Sequence, residues 1–287
     1  MLFSGFYLIF FLITALRQYN LFSNFNPKDF AIYNQTFWNT IHGRIFQNTT
    51  YGSNFSCHNS PFFFLLVPFY YLFPHPLTLQ YIKTILLLSS LIPFYLIIRQ
   101  IITSECAILA LMLTFLLFPF LISQNFVAPH EITYAPFFAL FTYYFYQRRK
   151  FCLYILFLLI TLFIKEHLAL VAIMFGIHAL WNRRNLRWII FPIAVGIIWG
   201  LFSLWVINYF QKIYNSHIDA AWFIVDLKRR FLQSREKFFF RNFIFMYYAL
   251  GWLKTPFVFY HKFWHYCAFS KFSDAVGNSR IIYCPVL

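Results

Sequence analysis

Charge is what this sequence has least of. Asp, Glu, Lys and Arg make up 11% of its 287 residues, and only 8 are acids against 23 bases. A water-soluble domain carries roughly 25% charged residues, so too little polar surface is present to cover 43 Phe, 20 Tyr and 8 Trp in water. Soluble enzymes, disordered scaffolds and collagen-like fibres are excluded. Paired cysteines are missing too: Cys57, Cys106, Cys152, Cys267 and Cys284 form no CxxC motif, and Cys106 and Cys152 lie in or beside apolar runs. Neither a zinc site nor a disulfide framework has support.

Hydrophobic residues, by contrast, reach 61%, and a helix needs about 20 of them to cross the hydrocarbon layer. Such runs, some of them short, fall near 2–16, 79–98, 105–122, 132–147, 151–164, 168–181 and 188–209. The pattern predicts an all-α, polytopic integral membrane helical bundle. Its expected divisions are a first transmembrane anchor at 1–16, an extracytoplasmic loop at 17–78, a core of about six spans at 79–209 and a basic aromatic tail at 210–287. The net charge of +15 comes mostly from Lys and Arg between or after the apolar runs. There they orient helices and meet anionic headgroups, so the lipid bilayer is the expected partner and nucleic acid is not.

Residues 61–73, with Pro68 inside, are too few to span and suit an interfacial or re-entrant helix. If they stay on one face and the N-terminus is cytoplasmic, Arg99, the cluster Arg148-Arg149-Lys150, and Arg183, Arg184 and Arg187 all emerge inside, as the positive-inside rule asks. An external N-terminus with 61–73 crossing satisfies the rule equally downstream of residue 79, but moves 17–60 into the cytoplasm. Under the first arrangement Asp29, His58, His130, Glu131, Lys165, Glu166 and His167 share the extracytoplasmic face. Of the other acids, Glu105 is then cytoplasmic, and Asp219, Asp226, Glu236 and Asp274 fall in the tail. A one-sided active surface follows.

In the first loop Phe30, Tyr33, Phe37, Trp38 and Ile41 recur at helical steps, predicting an amphipathic surface helix that ends near Gly43. Asp29 at its start reads as a cap favoured by the macrodipole, as a metal ligand or as a general base, and these roles are compatible. His130-Glu131 follows Pro129, whose freed backbone groups call for a cavity; an interfacial pair hydrated by headgroups is the bland alternative. Lys165-Glu166-His167 interrupts an apolar stretch from 151 to 181 that is too long for one crossing, so a tight polar hairpin is expected there. Lys165 could hold a phosphate, and Glu166 or His167 a metal or a proton; snorkelling to headgroups or mutual neutralisation is the competing explanation. His58, ahead of Asn59-Ser60-Pro61, is weaker evidence. Sequons at Asn34, Asn48 and Asn54 matter only in a eukaryotic secretory setting. In the tail, 228–241 suits an interfacial basic helix, and 243–260 reads alternatively as one more crossing.

Asp29-Phe-Ala-Ile-Tyr-Asn-Gln35, Phe37-Trp38-Asn39-Thr40, His42-Gly43-Arg44, His58-x-x-Pro61 and Lys165-Glu166 come in that order within residues 15–210. Together they resemble an uncharacterised bacterial membrane-protein family, domain of unknown function two-zero-seven-nine. That family is in turn similar to the GT-C class of polytopic glycosyltransferases, which includes the protein mannosyltransferases and the aminoarabinose transferases. The resemblance implies a GT-C-like, multi-pass protein of the bacterial inner membrane and a sugar donor carried on a polyprenyl phosphate. It implies Asp29 as the catalytic carboxylate. Gln35, Arg44, His58, His130, Glu131, Lys165, Glu166 and His167 become candidate substrate-binding residues, with Lys165 and Arg44 on the lipid-borne phosphate. A divalent metal is the one cofactor candidate, although oxygen ligands are sparse. Asn34 stands where the family has Asp, Pro129-His130 reverses the usual order, and His167 replaces an Asp. Family members generally run longer, so a truncated C-terminus is expected. A non-enzymatic lipid binder, transporter or flippase, or an inactive family member, is the alternative.

Overall fold

A computed structural model describes residues 2–21 and 27–215, and most of them are helical. The expectations for Asp219, Asp226, Glu236, Asp274, the basic stretch 228–241 and the alternative crossing 243–260 lie outside the described residues. In chain order the helices are α1 (Leu2–Asn20), α2 (Pro27–Ile41), α3 (Phe63–Leu72), α4 (Pro76–Ser89), α5 (Leu91–Ile98), α6 (Glu105–Leu116), α7 (Pro119–Phe126), α8 (Ala135–Gln147), α9 (Phe151–Ile164), α10 (Ala169–Trp181) and α11 (Leu186–Tyr214). A short antiparallel pair, β1 (Gln47–Asn48) and β2 (Gly52–Ser53), sits between α2 and α3. This is an all-α membrane protein.

The helices follow from the apolar runs, because each backbone group left unpaired in hydrocarbon costs several kcal/mol and a helix pairs them internally. They break where the sequence supplies a reason. Pro119 opens α7 and the chain bends by 40° between α6 and α7. Pro76 takes the first turn of α4, where His75 Nδ1 accepts from Leu77 N at 3.2 Å. Beyond α2, Gly43 adopts φ 82°, a left-handed conformation that side chains disfavour.

By length and composition, Pro76–Ile98 (α4 with α5) and α11 can cross a membrane, and the bent pair α6–α7 makes a third candidate among the described residues. Helices α8, α9 and α10 have 13, 14 and 13 residues. Each is about 20 Å long against a hydrocarbon core of about 30 Å, so reaching both interfaces takes polar flanks or a thinned bilayer. The surface around them is apolar. Trp181, Leu186, Ile198, Leu201 and Trp205 are all exposed, as lipid tolerates and water does not. Helix α3 packs along α2, where Phe37 meets both Phe63 and Tyr70.

Close approach of α10 and α11 depends on two glycines. A Cβ on Gly176 would lie 2.4 Å from Ile193 Cγ1, and one on Gly196 would lie 2.8 Å from the Ala169 carbonyl oxygen. Small residues let helices in lipid pack backbone to backbone. At one end of this group the rings of Tyr146, Tyr154, Phe175 and Trp188 interlock. Arg148, Arg149 and Lys150 precede α9 there, while Lys165 follows it at the far end, about 21 Å away at 1.5 Å per residue.

Candidate functional site

The far end gathers the titratable groups. Asp29 sits in the first turn of α2, where the helix dipole favours a negative charge. Its Oδ2 lies 3.3 Å from His130 Nε2. Tyr33, one turn further along α2 and buried, shares that face of the helix. The Tyr33 hydroxyl donates to Glu131 Oε2 at 3.0 Å and lies 3.2 Å from His130 Nδ1. His130 and Glu131 are brought there by the chain leaving α7 through extended Val127 and entering a 3-10 turn at Glu131–Tyr134.

Lys165 contributes from between α9 and α10. Its backbone is extended (φ −161°, ψ 145°), which halts α9 before a 3-10 turn at Glu166–Leu168. The tight polar connection expected at Lys165-Glu166-His167 is thus present. Lys165 Nζ donates to Glu131 Oε2 at 3.4 Å. Glu166 turns to the other side, where its Oε1 meets His58 Nδ1 at 3.0 Å and its Oε2 accepts from the Asn59 amide at 3.3 Å. Asn59 Nδ2 in turn donates to Ser203 Oγ on α11 at 2.8 Å.

Burial and neighbouring charge pull against each other throughout this cluster. Glu131 is fully buried, which alone would raise its pKa, yet the charges of Lys165 and His58 and the Tyr33 hydrogen bond bring it down to about 2. Burial would likewise lower His58, but the Glu131 charge and hydrogen bonds to Cys57 and Glu166 push it up to about 10. Glu166 is held below the usual carboxylate range despite its burial, by the His58 hydrogen bond and charge and by Lys165. For His130 and His167 burial prevails. His130 is lowered against the pull of Glu131 and Asp29, and His167 falls to about 4 with Lys165 adding to the effect. At neutral pH His58 is therefore cationic while His130 and His167 are neutral.

Of the residues singled out from sequence, Asp29, His58, His130, Glu131, Lys165 and Glu166 form two short chains of contacts, and His167 lies half-buried beside them. Gln35 and Arg44 do not join. Gln35 Oε1 accepts from the Thr49 amide and hydroxyl, both at 3.0 Å, and the Arg44 side chain is exposed. Among the described residues no three His, Cys, Asp or Glu side chains gather to hold a metal ion. Asp29, Glu131 and Glu166 each already face a nitrogen partner, so a resident divalent metal does not fit this donor set. Asn34, in the place of the family's Asp, accepts from the Tyr70 hydroxyl at 2.5 Å.

Two contributors were overlooked. Tyr33 reads in the sequence as part of an apolar stripe, although its spacing of four from Asp29 was visible. Lys83 lies inside an apolar run, where an ionisable residue is a functional suspect by default. It is fully buried and donates to the Val127 carbonyl at 2.7 Å. With Gln80 Nε2 on the Asn125 carbonyl at 2.7 Å and the Tyr134 hydroxyl on the Leu79 carbonyl at 3.3 Å, α4 clamps both sides of the turn that carries His130 and Glu131.

No curated protein and no solved structure matches the chain. The profile of a family described as a predicted membrane protein (DUF2079) does, across residues 17–259. The fold and the apolar surface agree with that description, and the chain belongs to this family.

Proposed function

We propose that the chain is a multi-pass enzyme of the bacterial inner membrane, of the GT-C type, that transfers a sugar from a polyprenyl phosphate to an acceptor hydroxyl on its extracytoplasmic face. One observation carries the reading. Asp29 on the surface helix is joined to His130, Tyr33, Glu131 and Lys165 through contacts of 3.0 to 3.4 Å, although these residues come from three distant stretches of sequence. A polyprenyl donor cannot leave the bilayer, so its phosphate must meet a fixed cation at headgroup depth while the sugar faces water. Lys165 suits that position, since among the described residues one of its three N–H donors serves Glu131, which leaves two for phosphate oxygens. Asp29, partly open to solvent, is the carboxylate an acceptor hydroxyl can approach. Gln35 and Arg44 stand apart and have no part in this reading.

The test incubates purified protein with radiolabelled polyprenyl-phosphate sugars and compares it with Asp29→Asn. Wild type should transfer sugar, and the variant should be slower by roughly 100-fold or more, the usual effect of disabling general-base catalysis, in which Asp29 takes part with its contact His130. Wild-type protein that neither transfers nor hydrolyses sugar ends the proposal. A second reading, a non-enzymatic transporter or headgroup binder, draws on Lys83 sealed within α4, because ionisable residues inside spans mark ion and substrate pathways. It gains if sugar chemistry is absent while Lys83→Met abolishes the cellular phenotype.

A further inference from the structure

A neutral His130 and one tyrosine hydroxyl cannot supply a hydrogen to every contact around the ring, and burial decides which contact goes without. Three contacts meet here: Tyr33 hydroxyl to Glu131 Oε2, Tyr33 hydroxyl to His130 Nδ1, and His130 Nε2 to Asp29 Oδ2. Tyr33 has one hydroxyl hydrogen, and burial together with the Glu131 charge keeps it there by raising its pKa well above the ordinary value. An ionised carboxylate only accepts, so the bond to Glu131 takes that hydrogen. The Tyr33 oxygen must then accept from His130, which puts a hydrogen on Nδ1. A neutral imidazole has only one N–H. Nε2 is consequently bare, beside Asp29.

The opposite tautomer would place the hydrogen on Nε2, facing Asp29, and turn the Tyr33 hydrogen onto Nδ1. Glu131 would then lose its Tyr33 donor. The exposure of the two carboxylates decides between them. Glu131 has 0% side-chain exposure, and its Oε1 has no partner among the described residues, so a lost donor there goes unreplaced and is costly. Asp29 is 25% exposed, and water can make good what it loses.

We infer that Tyr33 and Glu131 lock neutral His130 in its Nδ1–H form, and that His130 Nε2, beside Asp29, is the atom that takes the acceptor's proton. The chemical role rests on the transferase reading; the tautomer does not. In the step, the acceptor O–H bond breaks and its proton goes to Nε2. The acceptor oxygen bonds to the anomeric carbon, and the bond from that carbon to the phosphate oxygen breaks, its electron pair leaving with the polyprenyl phosphate. The imidazolium then lies between Asp29 and the Tyr33 oxygen, with both N–H groups satisfied. Asp29 stabilises that charge. Tyr33 and Glu131 are positioning residues. Burial keeps the resting ring neutral, and Lys165, from the turn between α9 and α10, and Lys83, from α4, also oppose its protonation.

The full chain labelled with 15N-histidine in lipid nanodiscs permits a direct test by solid-state NMR. The His130 signals, identified by their loss in His130→Gln, report which nitrogen is protonated. Wild type near pH 7 should show Nδ1 protonated and Nε2 bare, and Tyr33→Phe should move the proton to Nε2, where Asp29 can accept it. A wild-type ring protonated at Nε2 overturns the inference without needing any variant to fold. So does a Tyr33→Phe protein of unchanged helicity whose tautomer stays the same. If wild-type His130 carries its proton on Nδ1 but no sugar is transferred, the transferase reading and the proton-accepting role fail while the lock stands. Transfer with Nε2 protonated sinks the lock and leaves the transferase reading intact.

Discussion

The two ends of α8–α11 handle charge in opposite ways. At the end holding Glu131, carboxylates and cations are drawn inward and answered by specific partners from α2, α4 and the turns around residues 58, 130 and 165. At the other end Arg148, Arg149, Lys150, Arg183 and Arg187 are exposed. Arg184 is held most closely there, its guanidinium 3.9 Å from the Tyr146 ring centroid and bonded to the Tyr146 carbonyl at 2.7 Å, while Arg187 and Arg148 lie over Phe151 and Tyr144 at 5.1 and 5.9 Å. A charge taken out of water needs a named partner, whereas one left at an interface is satisfied by water or headgroups. The first end is therefore built by its own residues, and the second by its surroundings.

If that contrast is right, substitutions at the two ends should differ sharply in effect. The largest change belongs to Glu131→Ala, which strands the Lys165 ammonium and removes the Tyr33 acceptor. Breaking a buried pair in this way costs about 3–5 kcal/mol, and thermal unfolding in detergent should show Tm falling accordingly. An unchanged Tm would mean the acidic end is as loosely built as the basic one.

Next in size is a pH effect that only the acidic end should produce. His58 lies above its ordinary 6.5, at about 10. Its positive charge, favoured by Glu131, Cys57 and Glu166, therefore adds stability that is fully present below about pH 6.5 and is lost as pH climbs through 10. Tm should decline across that window in wild type, and His58→Phe should flatten the decline. The smallest effects lie within the basic end. Arg184→Ala should cost about 1 kcal/mol through its lost ring contact and hydrogen bond, while Arg183→Ala should stay within about 0.5 kcal/mol. Equal Tm shifts for the two would erase the distinction between a held and a solvated arginine.

How much of this was legible from the residues varied with the range of the contacts. The surface helix was readable from Phe30, Tyr33 and Phe37, because helical periodicity is local, and so was the break at Lys165, because a polar triplet cannot continue an apolar run. Arg44 was a plausible phosphate ligand by sequence, yet it stays exposed, since the chain turns at Gly43 into the β1–β2 hairpin. Tyr33 looked apolar because its ring is; its hydroxyl acquires a role only once Glu131 arrives from 98 positions away.

Composition determined that this chain belongs in a bilayer, because 61% apolar residues with 11% charge cannot cover its surface in water, and the long apolar runs determined that it crosses as helices. Local pattern placed most of the breaks. Tertiary structure decided which carboxylate meets which cation, and that Lys83 and Tyr33 serve the same cluster. The physical reason is that hydrogen bonds act over about 3 Å, a distance along which sequence separation carries no information.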